Sequence, residues 1–401
     1  MRDLKYFEQN VNNRFGTSAA PAIDASLLPE TASDVRLKWR KIPSSEVSFF
    51  DDGSDLARNV SSALCQDGYV YLPIHPFEVD RWPGEAFVES GKISVSASYR
   101  TVFFEPDDGG IMAGVADGDT ALMMKLHLEH PLPGIDGDRR LTRQIVEKCV
   151  TLSPSLQGIM QKDPLGACCE ILPEFLGMSN DETGVIFRQI PSSSVLPLFS
   201  LYSPDPALAD ADSHIEASLR QKFGDDASEA AAAMGDQLAK PLLRPLFVGF
   251  RSGFSLEMHA QNVLFRPGAS ALLEKVFFRD LEGVVFSNRY RVAQGLEPLF
   301  EDYDNTALIS NSRSMTRWFN RNVDHDLGRV FTASLDALVN CGYFGGRERA
   351  SAVRSIRKAA RQCVLESGVG RLNLPGRVLP ISRSPYGNGL SMGNYYRTKY
   401  R

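Results

Sequence analysis

Two runs in the carboxy-terminal half carry polar groups of the kind that bind metals and phosphates. In "SLEMHAQNVLF", Ser255 to Phe265, the apolar Leu256, Met258 and Ala260 alternate with Glu257, His259 and Gln261, so a strand here has one apolar and one polar face. Asn262 follows directly. Further on, "VFFRDLEG" is a bulky apolar strand that ends in Arg279 and Asp280, with Glu282 and Gly283 after it. A carboxylate fixed just beyond a strand, beside a hairpin partner carrying Asn, is a way to hold Mg2+ on nucleotide phosphates, because that cation demands oxygen ligands on rigid backbone. Protein kinases place a catalytic Asp two residues after the His of this region. Here Ala260 and Gln261 follow His259, so that general base is absent.

The amino-terminal half supplies cations. Read with period two, "KISVSASYRTVFF" sets Ser94, Ser96, Ser98 and Arg100 on one face, and "LMMKLHLEH" sets Lys125, His127 and Glu129 on one face. A Lys and an Arg on neighbouring strands, with hydroxyls beside them, suit a polyphosphate or a multiply charged carboxylate. "GIDGDRRL" adds Arg139 and Arg140, which can grip a carboxylate bidentately or pair with Asp136 or Asp138. His75 in "IHPFE" stands before a Pro at a strand end, where a structural role is the leading reading. Each of these faces, taken singly, also fits an ordinary solvated strand.

The elements that must position these residues follow from composition and period. Residues 1–60 are polar and broken by Pro, Gly and Ser; a β-rich stretch then runs from Gly68 to about Leu128. A helical pattern covers Leu141 to about Met160, and a long helix is expected from about Glu216 to Arg251, interrupted at Pro241 and ended by Gly253. Two strand-like runs, "SLEMHAQNVLF" and "ALLEKVFFRDLEGVVF", flank the turn "RPGAS". Residues from Thr306 to about Glu366 read as helical, and the tail as irregular. The expected division is a trimmed amino-terminal region at 1–60, a β-rich lobe at 61–200 with phosphate and carboxylate motifs, and a lobe at 201–401 with the EMHAQN and RDLEG motifs.

In this order the pieces resemble the siderophore synthetases that work independently of nonribosomal peptide synthetases, the family typified by the aerobactin synthetases. "HPFEVDRW" resembles the family's His-Pro-Trp-Gln element, with Phe77 and Glu78 as departures, and "SASYRT" its Ser-Ser-x-Arg-Thr motif through Ser98, Arg100 and Thr101. "MMKLHL" matches its Lys-Leu strand through Lys125, and "FRQIPSSS" its Arg-Glu segment through Arg188, with Gln189 in the Glu place. "SLEMHAQNVLF" followed by "FRDLEGV" matches Glu-x-His-x-Gln-Asn and the later Arg-Asp. "LNLPGRVLPISR" is similar to a late Leu-Pro-x-Lys segment, with Arg377 in the Lys place. The resemblance runs from about residue 27 to 383.

That resemblance implies an α+β protein with a cupped-hand arrangement of thumb, fingers and palm lobes and a kinase-like antiparallel sheet in the nucleotide site. It implies ATP and Mg2+ as cofactors, and activation of a carboxylate such as citrate as an acyl-adenylate. An amine, hydroxylamine or alcohol then attacks to give an amide or ester. Arg100, Lys125 and His259 would neutralise charge developing on the phosphates, and Asp280 with Glu257 or Asn262 would hold the metal. Ser98, Thr101 and Gln261 would complete the nucleotide site. Arg139 or Arg140, with His75 and Arg188, would bind the carboxylate; the stretch after Lys125 is about two residues longer than usual, which leaves the choice of arginine open. Family members usually carry a Gly-His-Pro-x-His-Pro element ahead of "LLPETASDVRLKW", and "FEQNVNNRFGTSAAP" has no histidine there, so a trimmed lobe is expected. A homodimer is implied as well.

Composition excludes other classes. The chain has 401 residues, 43% of them hydrophobic, and a net charge of -5 with no Lys/Arg-rich run. Neither a nucleic-acid partner nor a membrane span is expected. The start, "MRDLKYFEQNVNNRFG", has no apolar core of a secretory signal, so a cytoplasmic location is expected. Six cysteines without CxxC spacing read as buried reduced thiols, and no GxSxG or Cys/His nucleophile is present. Two other readings stand beside the ligase: a phosphotransferase on the same Mg2+ and phosphate parts, which ADP rather than AMP as product would reveal, and a non-catalytic protein that binds nucleotide or a partner enzyme.

Overall fold

A computed structural model describes residues 4–10, 35–96, 100–115, 120–129, 139–191, 195–205, 208, 212–269, 271–300 and 322–368. In chain order the strands are β1 (Val35–Pro43), β2 (Ser48–Asp51), β3 (Cys65–Gln66), β4 (Tyr69–Ile74), β5 (Phe87–Val95), β6 (Thr101–Glu105), β7 (Thr120–Leu126), β8 (Cys169–Ile171), β9 (Glu174–Ser179), β10 (Gly184–Pro191), β11 (Leu196–Pro197), β12 (Phe254–Ser255), β13 (Val263–Arg266), β14 (Lys275–Phe278) and β15 (Val285–Phe286). The helices are α1 (Leu4–Asn10), α2 (Asp55–Leu64), α3 (Arg143–Lys162), α4 (His214–Phe223), α5 (Ala227–Met234), α6 (Lys240–Arg251), α7 (Asn288–Ala293), α8 (Gly328–Asn340) and α9 (Gly346–Glu366). Two compact units emerge, the first from described residues within 1–154 and 172–193, the second from those within 155–171 and 194–388. β1 and β2, from the region expected at 1–60, pair into the same sheet as β4, β5 and β9.

The first unit is a nine-stranded sheet in the order β2-β9-β10-β7-β6-β5-β1-β4-β3, every neighbouring pair antiparallel. One face carries Leu37, Trp39, Val102, Phe104, Leu122, Met124, Leu126, Phe175 and Phe187, and α2 covers it with Ala57, Val60 and Leu64. Those three recur at helical spacing, and the hydroxyl of Ser54 starts the helix by accepting from the Ala57 N–H at 3.1 Å. The register puts Thr101, Met123, Lys125, Ile186 and Arg188 together on the other face. The amino-terminal part of α3 lies against that face. Gly177 permits the approach, since a Cβ there would collide with Val146.

The run "KISVSASYRTVFF" is a hairpin, not one strand: the Ser96 N–H donates to the Thr101 carbonyl at 3.0 Å, and β5 turns back into β6. Alternation holds as far as Ser94 and Ser96 and cannot be carried through to Arg100. The polar face expected to be solvated is covered. Ser94, Ser96, Thr101, Lys125 and His127 are all buried.

In the second unit β11-β13-β14-β8 form a small sheet, antiparallel except for the parallel pair β14/β8, and β12 pairs with β15. The long helix breaks at Gly224 rather than at Pro241: α4 ends there, and α5 continues into α6 through a π-turn at Gly235–Ala239. Pro241 follows directly on the π-turn, where the regular ladder of helix hydrogen bonds is already interrupted. Gly253, at φ +77°, ends α6 as expected. Among the described residues no helix is long and apolar enough to cross a membrane. None of the six cysteines forms a disulfide, and Cys65 is exposed rather than buried. Burial pushes the thiols of Cys168, Cys169 and Cys363 up, the last to about 11.

Candidate functional site

The sequence-predicted residues fall into two clusters, one in each unit. In the first, β7 is central, flanked by β6 and β10, and Lys125 stands opposite Thr101 and Ile186 on the face away from the main core, 2% exposed. Just beyond β7, the segment Arg139–Leu141 is fastened back onto it. The Leu128 N–H donates to the Arg139 carbonyl at 3.4 Å, the Arg100 guanidinium donates to the same carbonyl at 2.7 Å, and the Leu141 N–H donates to His127 Nδ1 at 3.3 Å. Arg100 and His127 therefore set where the two candidate carboxylate arginines emerge. Arg139 is half-buried and Arg140 exposed.

An acid–base network borders this segment. Arg81 donates to Glu78 Oε2 at 2.8 Å and pairs with Glu129 Oε2 at 3.0 Å; Glu78 Oε1 accepts the Glu129 N–H at 2.8 Å; Arg140 Nε approaches Glu129 Oε1 at 3.9 Å. Glu78, a departure from the family motif, is buried and supplies two oxygens to this network. The Leu141 N–H reaches His127 Nδ1, while Nε2 lies 3.4 Å from the Arg81 guanidinium and 3.6 Å from Glu129 Oε1. Burial holds the His127 imidazole below its ordinary value, against the pull of Glu129 and Glu78 in the other direction. His75 caps the turn Pro76–Arg81 by accepting the Phe77 N–H at 3.2 Å. Arg188 is ion-paired with Glu174, both fully enclosed. Ser98 lies outside the described residues.

In the second unit "SLEMHAQNVLF" is not one continuous strand. Only Phe254–Ser255 and Val263–Arg266 join sheets; residues 256–259 belong to no strand, and a turn at 260–262 is closed by the Asn262 N–H to the His259 carbonyl at 2.9 Å. The alternation in burial survives: Leu256, Met258 and Ala260 are buried, while Glu257, His259 and Gln261 are half-exposed. The turn brings the polar groups together. Asn262 Nδ2 lies 3.4 Å from Glu257 Oε2, and His259 Nε2 lies 3.8 Å from the same oxygen. Gly283 packs directly against that carboxylate, where a Cβ would strike Oε2. Arg279, 3% exposed, donates through Nε and Nη2 to the Gln261 carbonyl at 3.0 and 2.9 Å, tying the end of β14 to the turn.

Asp280 follows in the left-handed region at φ +74°, ψ 76°, before a 3-10 turn at Leu281–Gly283. Asp tolerates this backbone better than most residues, yet such positions gather where geometry serves function. Glu257, Asn262 and Asp280 offer hard oxygen donors. Among the described residues no three His, Cys, Asp or Glu side chains stand together as a metal cage. The Glu257 carboxylate beside the Asn262 amide fits Mg2+ that arrives with a polyphosphate, since that ion keeps water and phosphate oxygens in most of its positions.

No protein-family model matches the sequence, and no curated protein matches it either. Solved structures do. The ATP-bound aerobactin synthetase IucA from a hypervirulent pathotype of Klebsiella pneumoniae superposes with a TM-score of 0.67 at 17% identity, over 91% of this chain and 70% of that one. The chain has the fold of the nonribosomal-peptide-synthetase-independent siderophore synthetases. Aerobactin synthetase IucC from the same pathotype matches with TM-score 0.57, 16% identity and 85% and 64% coverage. The petrobactin biosynthesis protein AsbB of Bacillus anthracis str. Sterne matches with 0.60, 13% and 90% and 68%. The chain thus spans about two thirds of the length of these synthetase-fold proteins.

Within this siderophore-synthetase fold, Glu257, His259 and Asn262 of the second unit lie side by side, and Asp280 comes after β14, the strand that pairs with β13. The candidates of the first unit divide: Arg100, Lys125, Arg139 and Arg140 gather around the end of β7, whereas His75 and Arg188 already serve local structure. Arg81, Glu129 and the positioning role of His127 were not among the sequence candidates. The i,i+3 pairing of Glu78 with Arg81 in "HPFEVDR" was the one local signal for them.

Proposed function

We propose that the protein is an ATP- and Mg2+-dependent ligase that adenylates a (poly)carboxylate such as citrate and condenses it with an amine, hydroxylamine or alcohol, in siderophore or related natural-product assembly. The observation that carries this reading is the convergence of Asn262 and His259 on one oxygen of Glu257, 3.4 and 3.8 Å away, on the motif that the family resemblance singles out. The synthetase fold supports it at the level of architecture, and the site residues carry the chemistry.

In this reading Glu257, Asn262 and Asp280 hold Mg2+, which would draw charge from the phosphates of the bound nucleotide. His259, Gln261, Thr101 and Ser98 orient the nucleotide, and the cations Lys125 and Arg100 offset charge developing on its phosphates. Arg139 or Arg140 holds the carboxylate. A carboxylate oxygen bonds to the α-phosphorus and pyrophosphate leaves; the nucleophile then bonds to the acyl carbon and AMP leaves. No protein nucleophile is needed, which agrees with thiols kept protonated by burial. The same reading makes the protein a cytoplasmic homodimer.

The test is the nucleotide product formed from ATP, Mg2+, hydroxylamine as trap and a panel of di- and tricarboxylic acids. AMP and pyrophosphate appearing with one acid support the ligase and name its substrate. ADP in their place assigns a phosphotransferase, and ATP binding without turnover assigns a non-catalytic protein.

A further inference from the structure

Helix α9 carries a one-sided charge. Ala352, Ile356, Ala359, Ala360 and Cys363 form its buried face. On the opposite side Arg347, Arg354, Arg357, Lys358 and Arg361 are exposed, and at 100° per residue they fall within an arc of roughly 100° over a length of about 21 Å. Leu365 continues the same line one turn beyond Arg361 and is 80% exposed.

The acids that could neutralise this face are engaged elsewhere. Glu348 closes the capping box at the start of α9, and Glu366 accepts from Arg244 at 3.1 Å. Arg349, off the stripe, takes Asp336 at 3.2 Å. Among the described residues no carboxylate pairs with any of the five stripe cations. Arg354/Arg357, Arg354/Lys358, Arg357/Arg361 and Lys358/Arg361 are like charges three or four residues apart, which destabilises a helix left by itself. The stripe belongs to a wider segregation: residues 346–401 hold twelve Lys and Arg against two Glu, so the chain's net charge of -5 conceals a basic end and a strongly acidic remainder.

We propose that the exposed face of α9 is a docking surface for an anionic lipid bilayer, its five cations taking headgroup phosphates and Leu365 entering the apolar boundary. The chemistry of the stripe decides among polyanions. Protein interfaces centre on aromatic and apolar anchors with charges thinned at the core, and the stripe has no aromatic. Single-stranded nucleic acids stack on aromatic side chains, which are again absent. A headgroup layer asks for clustered Lys and Arg on a helix and rewards an apolar tip among them. Attachment is peripheral, because the apolar face of α9 is already spent on the second unit's core.

The experiment is co-sedimentation of the full chain with phosphatidylcholine vesicles, with and without phosphatidylglycerol, at low and high salt. Binding is expected only with phosphatidylglycerol and is expected to fall steeply with salt. The combined variant Arg354→Gln, Arg357→Gln, Lys358→Gln, Arg361→Gln should lose on the order of 100-fold or more in partition coefficient. It should melt no lower than the parent, since it removes self-repulsion. Leu365→Ser should weaken binding several-fold, most visibly at high salt. Equal partition of parent and combined variant, binding to pure phosphatidylcholine, or tighter binding to a duplex oligonucleotide would each overturn the proposal. None of these residues belongs to the proposed ligase machinery, so the result does not depend on that reading.

Discussion

Arg188 offers the sharpest separation of a substrate residue from a structural one. The family resemblance implies that it binds the carboxylate, but its guanidinium lies in an ion pair with Glu174, at side-chain exposures of 2% and 0%. Glu174 is held further by its own N–H, which donates to Ser153 Oγ at 3.1 Å. Arg188→Met keeps the aliphatic stem and removes the charge, leaving a carboxylate without its guanidinium in the interior. Breaking a buried pair from one side costs about 3–5 kcal/mol. For a unit of this size that corresponds to a fall in melting temperature of roughly 6–20 °C, at about 2–4 °C per kcal/mol. Replacing both partners, Arg188→Met with Glu174→Leu, removes the orphaned charge and should recover most of the loss, because apolar replacement of a buried pair is often neutral or stabilising. Urea and thermal unfolding of the two single variants and the double variant close the cycle, and a coupling above about 1 kcal/mol is expected for groups in contact. Arg188→Met with parental stability and a raised KM for the carboxylate alone would refute the structural reading.

His127 predicts a pH dependence. Its folded value lies below the ordinary 6.5 because of burial, so between 6.5 and the lower folded value the unfolded chain binds a proton that the folded chain does not. Its contribution to stability is complete above pH 6.5 and is lost as the pH falls towards the folded value; His127→Gln should flatten the acid side of the stability profile by up to about 1.4 kcal/mol per pH unit, and identical slopes in urea titrations of both proteins would contradict this. Gly283→Ala pushes a methyl against the half-exposed Glu257 carboxylate, whose far end can swing away. Stability should change by less than about 1 kcal/mol while Mg2+-dependent nucleotide affinity, read by calorimetry, drops about tenfold or more; unchanged affinity would remove Glu257 from the metal site. Asp280→Gly relieves the left-handed backbone at φ +74° and deletes the carboxylate. Melting temperature should hold or rise while Mg2+-dependent turnover is lost, and a variant that is stable and fully active would remove Asp280 from the chemistry.

What the sequence made legible was decided locally. The alternation of Glu257, His259 and Gln261 with Leu256, Met258 and Ala260 predicts which groups stay accessible, and the structure keeps that pattern even where no strand forms. The hairpin β13/β14 and the helix stop at Gly253 follow from turn residues and a left-handed backbone that only certain side chains accept. The reversal of β5 into β6 was hidden because "SVSASYRTV" has no Gly, Pro or Asn to mark it, and strand propensity runs along the sequence unbroken. Which arginine meets which acid was also out of reach. Glu174 faces Arg188 only through a register shift between β9 and β10, a pairing set by the whole sheet.

Period two states which residues share a face and leaves open whether that face meets water, a helix or a ligand. Lys125 shows the consequence. Its side of β7 reads as a polar solvated surface, yet it is 2% exposed, on the same face that α3 covers over β9 and β10. Lys125 lies beside a segment that Arg100 and His127 fasten so that two further arginines emerge, a concentration of cations at one end of β7. Under the ligase reading that concentration is the expected cost of holding a polyanion, and it should be visible as a rise in melting temperature when ATP or the correct carboxylate is added.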